Sequence, residues 1–421
     1  MKAINTICTI ILLLFSPLQT MAESPSLQSQ IDAAPAYSTI QLKKGVYNEA
    51  IVITKPITLD GVLGGKINSC TDSPTVSVQG KDVVLKNITI EKCGDGNSAA
   101  IYATGNHHTF DSIYVNTEQI GIKLDQASDI TILNSNVNGK GKNNGIDLWE
   151  SPNNTIAGTT LSHVRDGIYL ENSNQNVIKQ NVIEKSRYGV HLMFSNDVGL
   201  YKNTSLHNVT GAMIMEANNT TVAQNNFSYN ANNVNAQGLL LYHAKDTNIY
   251  QNIISYNRVG MYVEQSERNK LYSNTIQGNF IGIQMKDSQN QTVYGNDFIG
   301  NVTEGQAINS TNNQFTTNYW DSSLKLDTTG KGVSSIPYKI DPFFLTLTSD
   351  VPEYQVFFQS PGMFLLQKLF KSPDSALLID WQPAMNSSVG YEKESTSTIS
   401  LMIVSALMLA ISLSLYMKGR K

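Results

Sequence analysis

The chain has 421 residues, with 30 basic and 34 acidic side chains and a net charge of −4. Charged residues make up only 15% of it, so most of its polarity comes from Asn, Ser, Thr, Gln and Gly. Without a strongly basic stretch, the composition argues against a nucleic-acid partner, while the length allows one large core or two modest ones.

Both ends of the chain carry an apolar run. Residues 1–22 combine Lys2 with a short apolar stretch and a small-residue site at Ala22, which predicts a cleaved export signal. A short anchor helix is the alternative there, but the run has only about half the length that spans a bilayer. Residues 397–417 are long enough to span one, and the basic tail 418–421 should stay cytoplasmic. We therefore expect a single-pass cell-membrane protein with its body on the extracytoplasmic (periplasmic or outer) face.

Two cysteines remain once the signal is removed. Cys70 and Cys93 are an even pair in a compartment where disulfides persist. Their spacing is close to the length of the repeat described next, and adjacent strands lie about 4.8 Å apart. That separation suits a disulfide between neighbouring rungs. The alternative is two buried thiols.

A repeat of Gly, apolar, variable, apolar residues runs through the middle of the chain. Its glycines follow one another at steps of 22 residues except for one step of 24 and one of 27, and the longest step predicts a bulging turn between residues 230 and 237. A second alternation in each unit ends in asparagine and stays in phase with the glycines. The glycines are Gly121, Gly145, Gly167, Gly189, Gly211, Gly238, Gly260 and Gly282, and the asparagines are Asn181, Asn203, Asn225, Asn252, Asn274 and Asn296.

This periodicity predicts an all-β fold, a right-handed parallel β-helix with rungs of about 22 residues over residues 23–342. Two-residue alternation indicates strands, and units this short bury their apolar side only by stacking. We expect the glycines to occupy corners with unusual backbone angles, and the asparagines to adopt left-handed turns and bond along the column. A leucine-rich repeat has a similar period, but it would carry a leucine consensus and helical periodicity, which are missing between Tyr37 and Tyr319.

Beyond the repeat the pattern changes. Trp320 stands where the repeat stops and is expected to cover the open end of the core. Residues 343–396 mix apolar residues with prolines, and we interpret them as an extracytoplasmic docking and linker segment that leads to the membrane helix.

The outward positions two and four residues after each repeat glycine form columns along the solenoid. One rung places His191 and Met193 there, and the next rung places Met213 and Met215. Because residues one repeat apart stack, these four side chains should form a two-by-two patch. Imidazole and thioether ligands suit Cu(I). The alternative is apolar cover beneath a docked segment or partner.

A second candidate site lies in the preceding rungs, where carboxylates stand beside aromatic side chains. Such a pattern is typical of grooves that cleave glycans, because two carboxylates at suitable separation act as acid and partner. The alternative is a solvated polar face. The candidate glycan residues are Asp125, Asp147, Trp149, Glu150, Tyr169 and Glu171.

Several segments resemble NosD, the accessory protein for copper-site maturation of nitrous oxide reductase. They are residues 42–61, residues 186–197, the tripeptide Asn318-Tyr319-Trp320 and residues 354–369, in a likeness that covers about residues 37–385. The repeat also resembles the wider carbohydrate-binding and sugar-hydrolase group, which shares the solenoid without sharing a function.

The NosD resemblance implies an extracytoplasmic role in copper delivery, beside an ABC transporter made of a permease and an ATPase. It also implies a copper-chaperone lipoprotein and nitrous oxide reductase as partners, and no catalytic activity. It does not supply metal ligands, so the set His191, Met193, Met213 and Met215 rests on the columns. Two other hypotheses remain at this point: a polysaccharide lyase or hydrolase of the β-helix type, and a non-catalytic glycan-binding or adhesion solenoid.

Overall fold

The computed structural model describes residues 25–94, 96–341 and 377–390, with isolated positions between 347 and 372. It is a right-handed parallel β-helix of about 13 turns, as the repeat predicts. Each turn contributes one short strand to each of three long parallel sheets. Strands are numbered β1 to β40 in chain order, and the sheets are called sheets 1, 2 and 3.

Sheet 1 has fifteen strands, and its last two, β40 and β39, pair antiparallel. In spatial order they are β1 (Thr39–Gln41), β4 (Thr58–Asp60), β7 (Val84–Lys86), β10 (Thr109–Asp111), β13 (Thr131–Leu133), β16 (Thr155–Ala157), β19 (Val177–Lys179), β22 (Gly199–Tyr201), β25 (Thr221–Ala223), β28 (Asn248–Tyr250), β31 (Lys270–Tyr272), β34 (Thr292–Tyr294), β37 (Gln314–Thr316), β40 (Leu378–Asp380) and β39 (Tyr338–Ile340).

Sheet 2 has thirteen strands, all paired in parallel with their neighbours. They are β2 (Gly45–Tyr47), β5 (Gly65–Ser69), β8 (Thr89–Lys92), β11 (Tyr114–Thr117), β14 (Asn136–Asn138), β17 (Thr160–Ser162), β20 (Val182–Glu184), β23 (Thr204–Leu206), β26 (Asn226–Ser228), β29 (Ile253–Ser255), β32 (Thr275–Gln277), β35 (Asp297–Ile299) and β38 (Tyr319–Trp320).

Sheet 3 has twelve strands and carries the repeat glycines and both predicted sites. They are β3 (Ile51–Ile53), β6 (Val76–Val78), β9 (Ala99–Asn106), β12 (Ile120–Ser128), β15 (Ile146–Trp149), β18 (Asp166–Glu171), β21 (Tyr188–Met193), β24 (Thr210–Met215), β27 (Gln237–Tyr242), β30 (Val259–Glu264), β33 (Ile281–Lys286) and β36 (Thr303–Ile308).

The core is one apolar column enclosed by the three sheets. Residues one and three positions after each repeat glycine point inward, and Ile146, Leu148, Ile168 and Leu170 are fully buried. Register pairs join Ile146 to Ile168 and Leu148 to Leu170, so identical positions stack from rung to rung. This stacking buries the apolar side that a single unit leaves exposed.

The repeat glycines are required by close packing, not by unusual backbone angles as the sequence suggested. Gly167 is typical, because it lies outside the left-handed region. A Cβ atom there would stand 2.4 Å from the carbonyl oxygen of Gly189 and 2.4 Å from the Cγ2 of Ile183. The absent side chain therefore lets neighbouring rungs approach at the corner.

The recurring asparagines form a buried asparagine ladder along one corner: Asn181, Asn203, Asn225, Asn252, Asn274, Asn296 and Asn318. The side-chain oxygen of Asn225, for example, accepts from the backbone and side-chain nitrogens of Asn203, at 2.8 and 3.0 Å. The left-handed residue is the one before each asparagine, such as Lys202 or Gln224. The predicted bonding along the column is present, and the predicted left-handed asparagine is wrong.

Both ends of the solenoid are covered. Helix α1 (Leu27–Ala33) begins at the N-cap Ser26 and buries Leu27 and Ile31 against the first rung. At the other end Trp320 is fully buried and stacks on Phe298 at 4.1 Å between ring centroids. The sequence predicted the role of this tryptophan but not the helix.

The returning strand β40 completes the C-terminal cover. A carboxylate oxygen of Asp380 accepts from the backbone nitrogen of Asn318 at 3.1 Å and from the indole nitrogen of Trp320 at 3.0 Å. This strand falls within residues 343–396, so part of the predicted linker packs on the solenoid; the rest of that assignment stays a prediction.

Two local predictions agree with the structure. Cys70 and Cys93 form a disulfide between neighbouring rungs, with 4.6 Å between their Cα atoms. Residues 231–235, within the predicted bulge, are an exposed turn. Among the described positions no helix has the length and apolarity needed to cross a bilayer. The predicted signal 1–22, span 397–417 and tail 418–421 lie outside those positions.

Candidate functional site

The predicted two-by-two patch exists on the outer face of sheet 3. In the register of β21 and β24, His191 lies opposite Met213 and Met193 lies opposite Met215. In the preceding pair of strands, Tyr169 lies opposite His191. Residues 22 positions apart are therefore neighbours, as the period predicts.

These residues line a groove of about 480 Å³. Here the structure differs from the sequence interpretation, because it merges the two predicted sites. The groove contains all four predicted metal ligands together with three of the predicted glycan residues. Its lining is Asn144, Asp147, Trp149, Arg165, Asp166, Tyr169, Arg187, Tyr188, His191, Met193, Met213 and Met215.

His191 is the most constrained side chain of the groove. It is only 7% exposed, and its ring lies 5.0 Å from the ring of Tyr169 and 4.9 Å from that of Tyr188. Its Nδ1 lies 3.0 Å from a carboxylate oxygen of Asp166. Its Nε2 is buried and has no hydrogen-bond partner. An unpartnered buried nitrogen is costly, so its presence beside a groove points to a ligand.

The three methionines are half-buried. The phenol of Tyr169 lies 3.4 Å from the sulfur of Met193 and closer to a carboxylate oxygen of Glu171. Since a phenol has one proton, the shorter contact to the carboxylate takes it. The sulfur of Met193 therefore keeps its lone pairs.

The groove fits a soft cation better than a hard one. Within the described part of the chain no group of three or more His, Cys, Asp or Glu side chains is placed to hold a metal ion. A metal bound here would have to use thioethers in addition to the one free imidazole nitrogen of His191. Thioethers favour Cu(I), whereas Mg²⁺ and Ca²⁺ prefer oxygen ligands.

Asp147 is a carboxylate that lines the groove beside Trp149. The columns were expected to face away from the core into solvent, yet Asp147 is only 4% exposed. Burial raises its pKa to about 6, against the lowering effect of Lys123 and of hydrogen bonds from Trp149 and Asn144. The indole nitrogen of Trp149 donates to its Oδ1 at 3.1 Å. A carboxyl group with such a pKa is suited to proton transfer near neutral pH.

The other predicted glycan residues do not line the groove. Asp125 accepts from the phenol of Tyr102 at 2.9 Å, at the edge of a separate hollow of about 520 Å³. Glu150 adopts a left-handed turn with a φ of 46° and accepts from Gln126. Glu171 is occupied by Tyr169. The predicted glycan cluster is therefore only partly assembled.

Sequence reasoning missed the ion pair at the base of the groove. Asp166 stands one position before its repeat glycine and accepts two hydrogen bonds from Arg187, at 2.8 and 2.7 Å. Arg165 and Arg187, each two positions before a repeat glycine, both line the groove. The available signal was the opposite charge of Asp166, one position before Gly167, and Arg187, two positions before Gly189 on the next rung.

The fold and the groove define a right-handed parallel β-helix protein with a ligand-sized groove on one sheet. Residues 134–336 match the family model of NosD, described as a periplasmic copper-binding protein. The resemblance predicted from the sequence is confirmed over this segment, which contains the entire groove. The comparison with curated proteins gives no match.

Solved structures share the fold at low sequence identity. The A-module of the mannuronan C-5 epimerase AlgE6 of Azotobacter vinelandii is 14% identical, with a TM-score of 0.52 over 69% of this chain and 87% of that chain. A double mutant of the periplasmic alginate epimerase AlgG is also 14% identical, with a TM-score of 0.57 over 70% and 82%. Tailspike protein 3 of bacteriophage CBA120 is 13% identical, with a TM-score of 0.57 over 74% and 58%. At these identities the likeness shows the fold alone.

Proposed function

We propose that this protein is an extracytoplasmic accessory protein that holds Cu(I) in the groove for assembly of the copper site of nitrous oxide reductase. The observation that carries the proposal is the buried, unpartnered Nε2 of His191 beside three half-buried methionines. The copper is cargo to be passed on, so the protein has no reaction of its own. An open groove with few strong ligands suits a site that must release its ion.

The family match supports an extracytoplasmic location, since the family is described as periplasmic. We propose that an export signal at residues 1–22 and a membrane helix at residues 397–417 keep the β-helix at the outer side of the cell membrane. The proposed partners are the permease and ATPase of an ABC transporter, a copper-chaperone lipoprotein and nitrous oxide reductase. These proposals rest on the NosD likeness and on the apolar ends of the chain.

The metal proposal is tested by Cu(I) affinity, measured on the full chain by competition with bicinchoninate. We expect replacement of Met193, Met213 and Met215 by isoleucine to weaken binding by at least about tenfold, because the soft ligands are lost. Isoleucine is favoured in strands, so the fold should survive. Leu240→Ile is the matched control, since Leu240 is the next residue in the Met213 column. Equal affinity of the triple variant and the wild type would contradict the proposal.

The partner proposal is tested by co-purification with the transporter from a co-expressing cell. We expect deletion of residues 343–376 to abolish co-purification. This deletion spares β40, which covers the end of the solenoid, so a change in association would not reflect loss of the cap. Undiminished recovery of the transporter with the deletion variant would contradict a docking role for the segment.

A polyuronate-active enzyme is the second candidate, favoured by one observation. Asp147, with its pKa raised to about 6 by burial, shares the groove with Tyr169 and His191. If this candidate is correct, the protein should cleave or epimerise alginate- or pectin-like polymers, and Asp147→Asn should abolish the activity. Product analysis by proton NMR would detect either reaction. Binding of the polymer without conversion would instead favour a non-catalytic glycan solenoid.

A further inference from the structure

The ion pair at the base of the groove reaches His191 directly. Asp166 is only 1% exposed, although it carries a carboxylate. Its Oδ1 accepts from the Nε of Arg187, and its Oδ2 accepts from a terminal nitrogen of Arg187. The same Oδ2 lies 3.0 Å from the Nδ1 of His191, on the next rung. The guanidinium of Arg187 therefore fixes the carboxylate of Asp166 with two hydrogen bonds, and that carboxylate in turn orients the imidazole of His191.

This geometry determines which ring nitrogen of His191 carries the proton. The guanidinium of Arg187, which only donates hydrogen bonds, bonds to both oxygens of Asp166. The group is thus an ionised carboxylate, which accepts hydrogen bonds and donates none. The Nδ1 of His191 must be the donor. In the neutral ring the lone pair then lies on Nε2, the nitrogen without a partner.

We propose that Asp166, anchored by Arg187, is the positioning residue that fixes His191 as the Nδ1–H tautomer and thereby sets the affinity of the groove for Cu(I). The inference rests on the proposed copper-holding function. A carboxylate on the remote nitrogen of a metal-binding imidazole orients the ring and makes it a better donor, and its loss typically lowers metal affinity by about 10- to 100-fold.

A purely structural ion pair is the competing explanation, and the chain supplies a matched control for it. Asp246 and Arg268 form the same two-pronged contact between adjacent rungs, at 2.9 and 2.8 Å, away from the groove. The test variant is the double replacement Asp166→Asn with Arg187→Gln, which removes both charges and leaves no unpaired cation behind. The control is Asp246→Asn with Arg268→Gln.

Two measurements on the full chain decide between these explanations. Nitrogen-15 NMR of labelled histidine in the metal-free protein reports the tautomer of His191, and bicinchoninate competition reports Cu(I) affinity. In the wild type we expect a protonated Nδ1 and an unprotonated Nε2. In the test variant we expect a mixture of tautomers and an affinity lower by about 10- to 100-fold. The control variant should match the wild type in both measurements.

An unchanged tautomer in the test variant would overturn the inference, and so would a changed tautomer with unchanged Cu(I) affinity. Failure of the proposed function has a different signature, because the wild type and the triple isoleucine variant would then bind Cu(I) equally. That result would remove the copper part of the inference while the NMR data still report the tautomer that Asp166 imposes.

Discussion

The asparagine ladder and the groove are built by the same 22-residue repeat, yet they use it in opposite ways. Along the ladder each rung places the same residue at the same position, and every amide is bonded to the next. Along the groove each rung places a different side chain: Asp147, Tyr169, His191 and Met213 follow one another in register. Repetition thus supports the fold, and departure from repetition creates the site.

The largest expected effect is on the ladder. Asn225→Leu would leave the backbone nitrogen of Asn203 buried without a partner and would remove the hydrogen bonds that the Asn225 amide donates to Leu200 and Asn252. We expect the free energy of unfolding to fall by about 4 kcal/mol, because several buried hydrogen bonds are lost at once. Urea denaturation followed by circular dichroism measures the change. Asn232→Ala, in the exposed turn, is the control and should stay within about 0.5 kcal/mol of the wild type.

The next effect separates two kinds of glycine. Gly167→Ala should destabilise the protein by about 3 kcal/mol, because its Cβ would meet a backbone oxygen and a fixed side chain at 2.4 Å. Gly295→Ala has open space around the Cβ but a φ of 60°, so it should cost only about 1 kcal/mol. Denaturation midpoints of the two variants test the order, and equal losses would contradict the close-packing explanation of the repeat glycines.

A smaller effect depends on pH and concerns the groove. The pKa of Asp147 is raised from its ordinary value of 3.8 to about 6, so the folded protein holds this proton more tightly than the unfolded chain. Asp147 therefore lowers stability as the pH rises from about 4 to about 6, and its effect is constant above that range. As the pH rises from 4 to 7, the unfolding free energy of Asp147→Asn should therefore increase by about 2 kcal/mol relative to that of the wild type. A difference in unfolding free energy between the two proteins that does not change with pH would contradict the raised pKa of Asp147.

The smallest effect on the unfolding free energy is expected for the groove residue Met213. Met213→Ile replaces an outward, half-buried side chain in a strand, so the unfolding free energy should change by no more than about 0.5 kcal/mol. Denaturation of this variant under the same conditions as Asn225→Leu measures it. A loss comparable to that of the ladder variant would mean that the groove methionines support the fold, and the contrast between the two regions would fail.

The period of the repeat was sufficient to predict much of the fold and part of the site. It placed His191 beside Met213 and set Cys70 and Cys93 one rung apart, because residues one repeat apart become neighbours in a parallel solenoid. It could not show how deeply an outward side chain is buried. Asp147 was therefore expected at the surface, although neighbouring side chains cover it.

Contacts between residues that are not one repeat apart could not be predicted from the period either. Asp380 joins the end of the ladder 62 residues beyond Asn318, across a stretch without the repeat. Asp166 and Arg187 stand at different positions relative to their repeat glycines, so register alone does not pair them, and only their opposite charges on adjacent rungs indicate the contact. The repeat predicts which residues align between rungs. The burial of side chains and the return of a distant strand such as β40 depend instead on tertiary packing.

The two covers have a consequence for how the molecule behaves at high concentration. A parallel stack has no intrinsic length, and each exposed terminal rung is a template for another chain, the route by which strand-rich proteins grow into fibres. Helix α1 shields one terminus, and at the other the amide row finishes in Asp380, whose side chain accepts from Asn318 and Trp320 but offers no N–H of its own. The two covers thereby oppose the end-to-end addition of another chain.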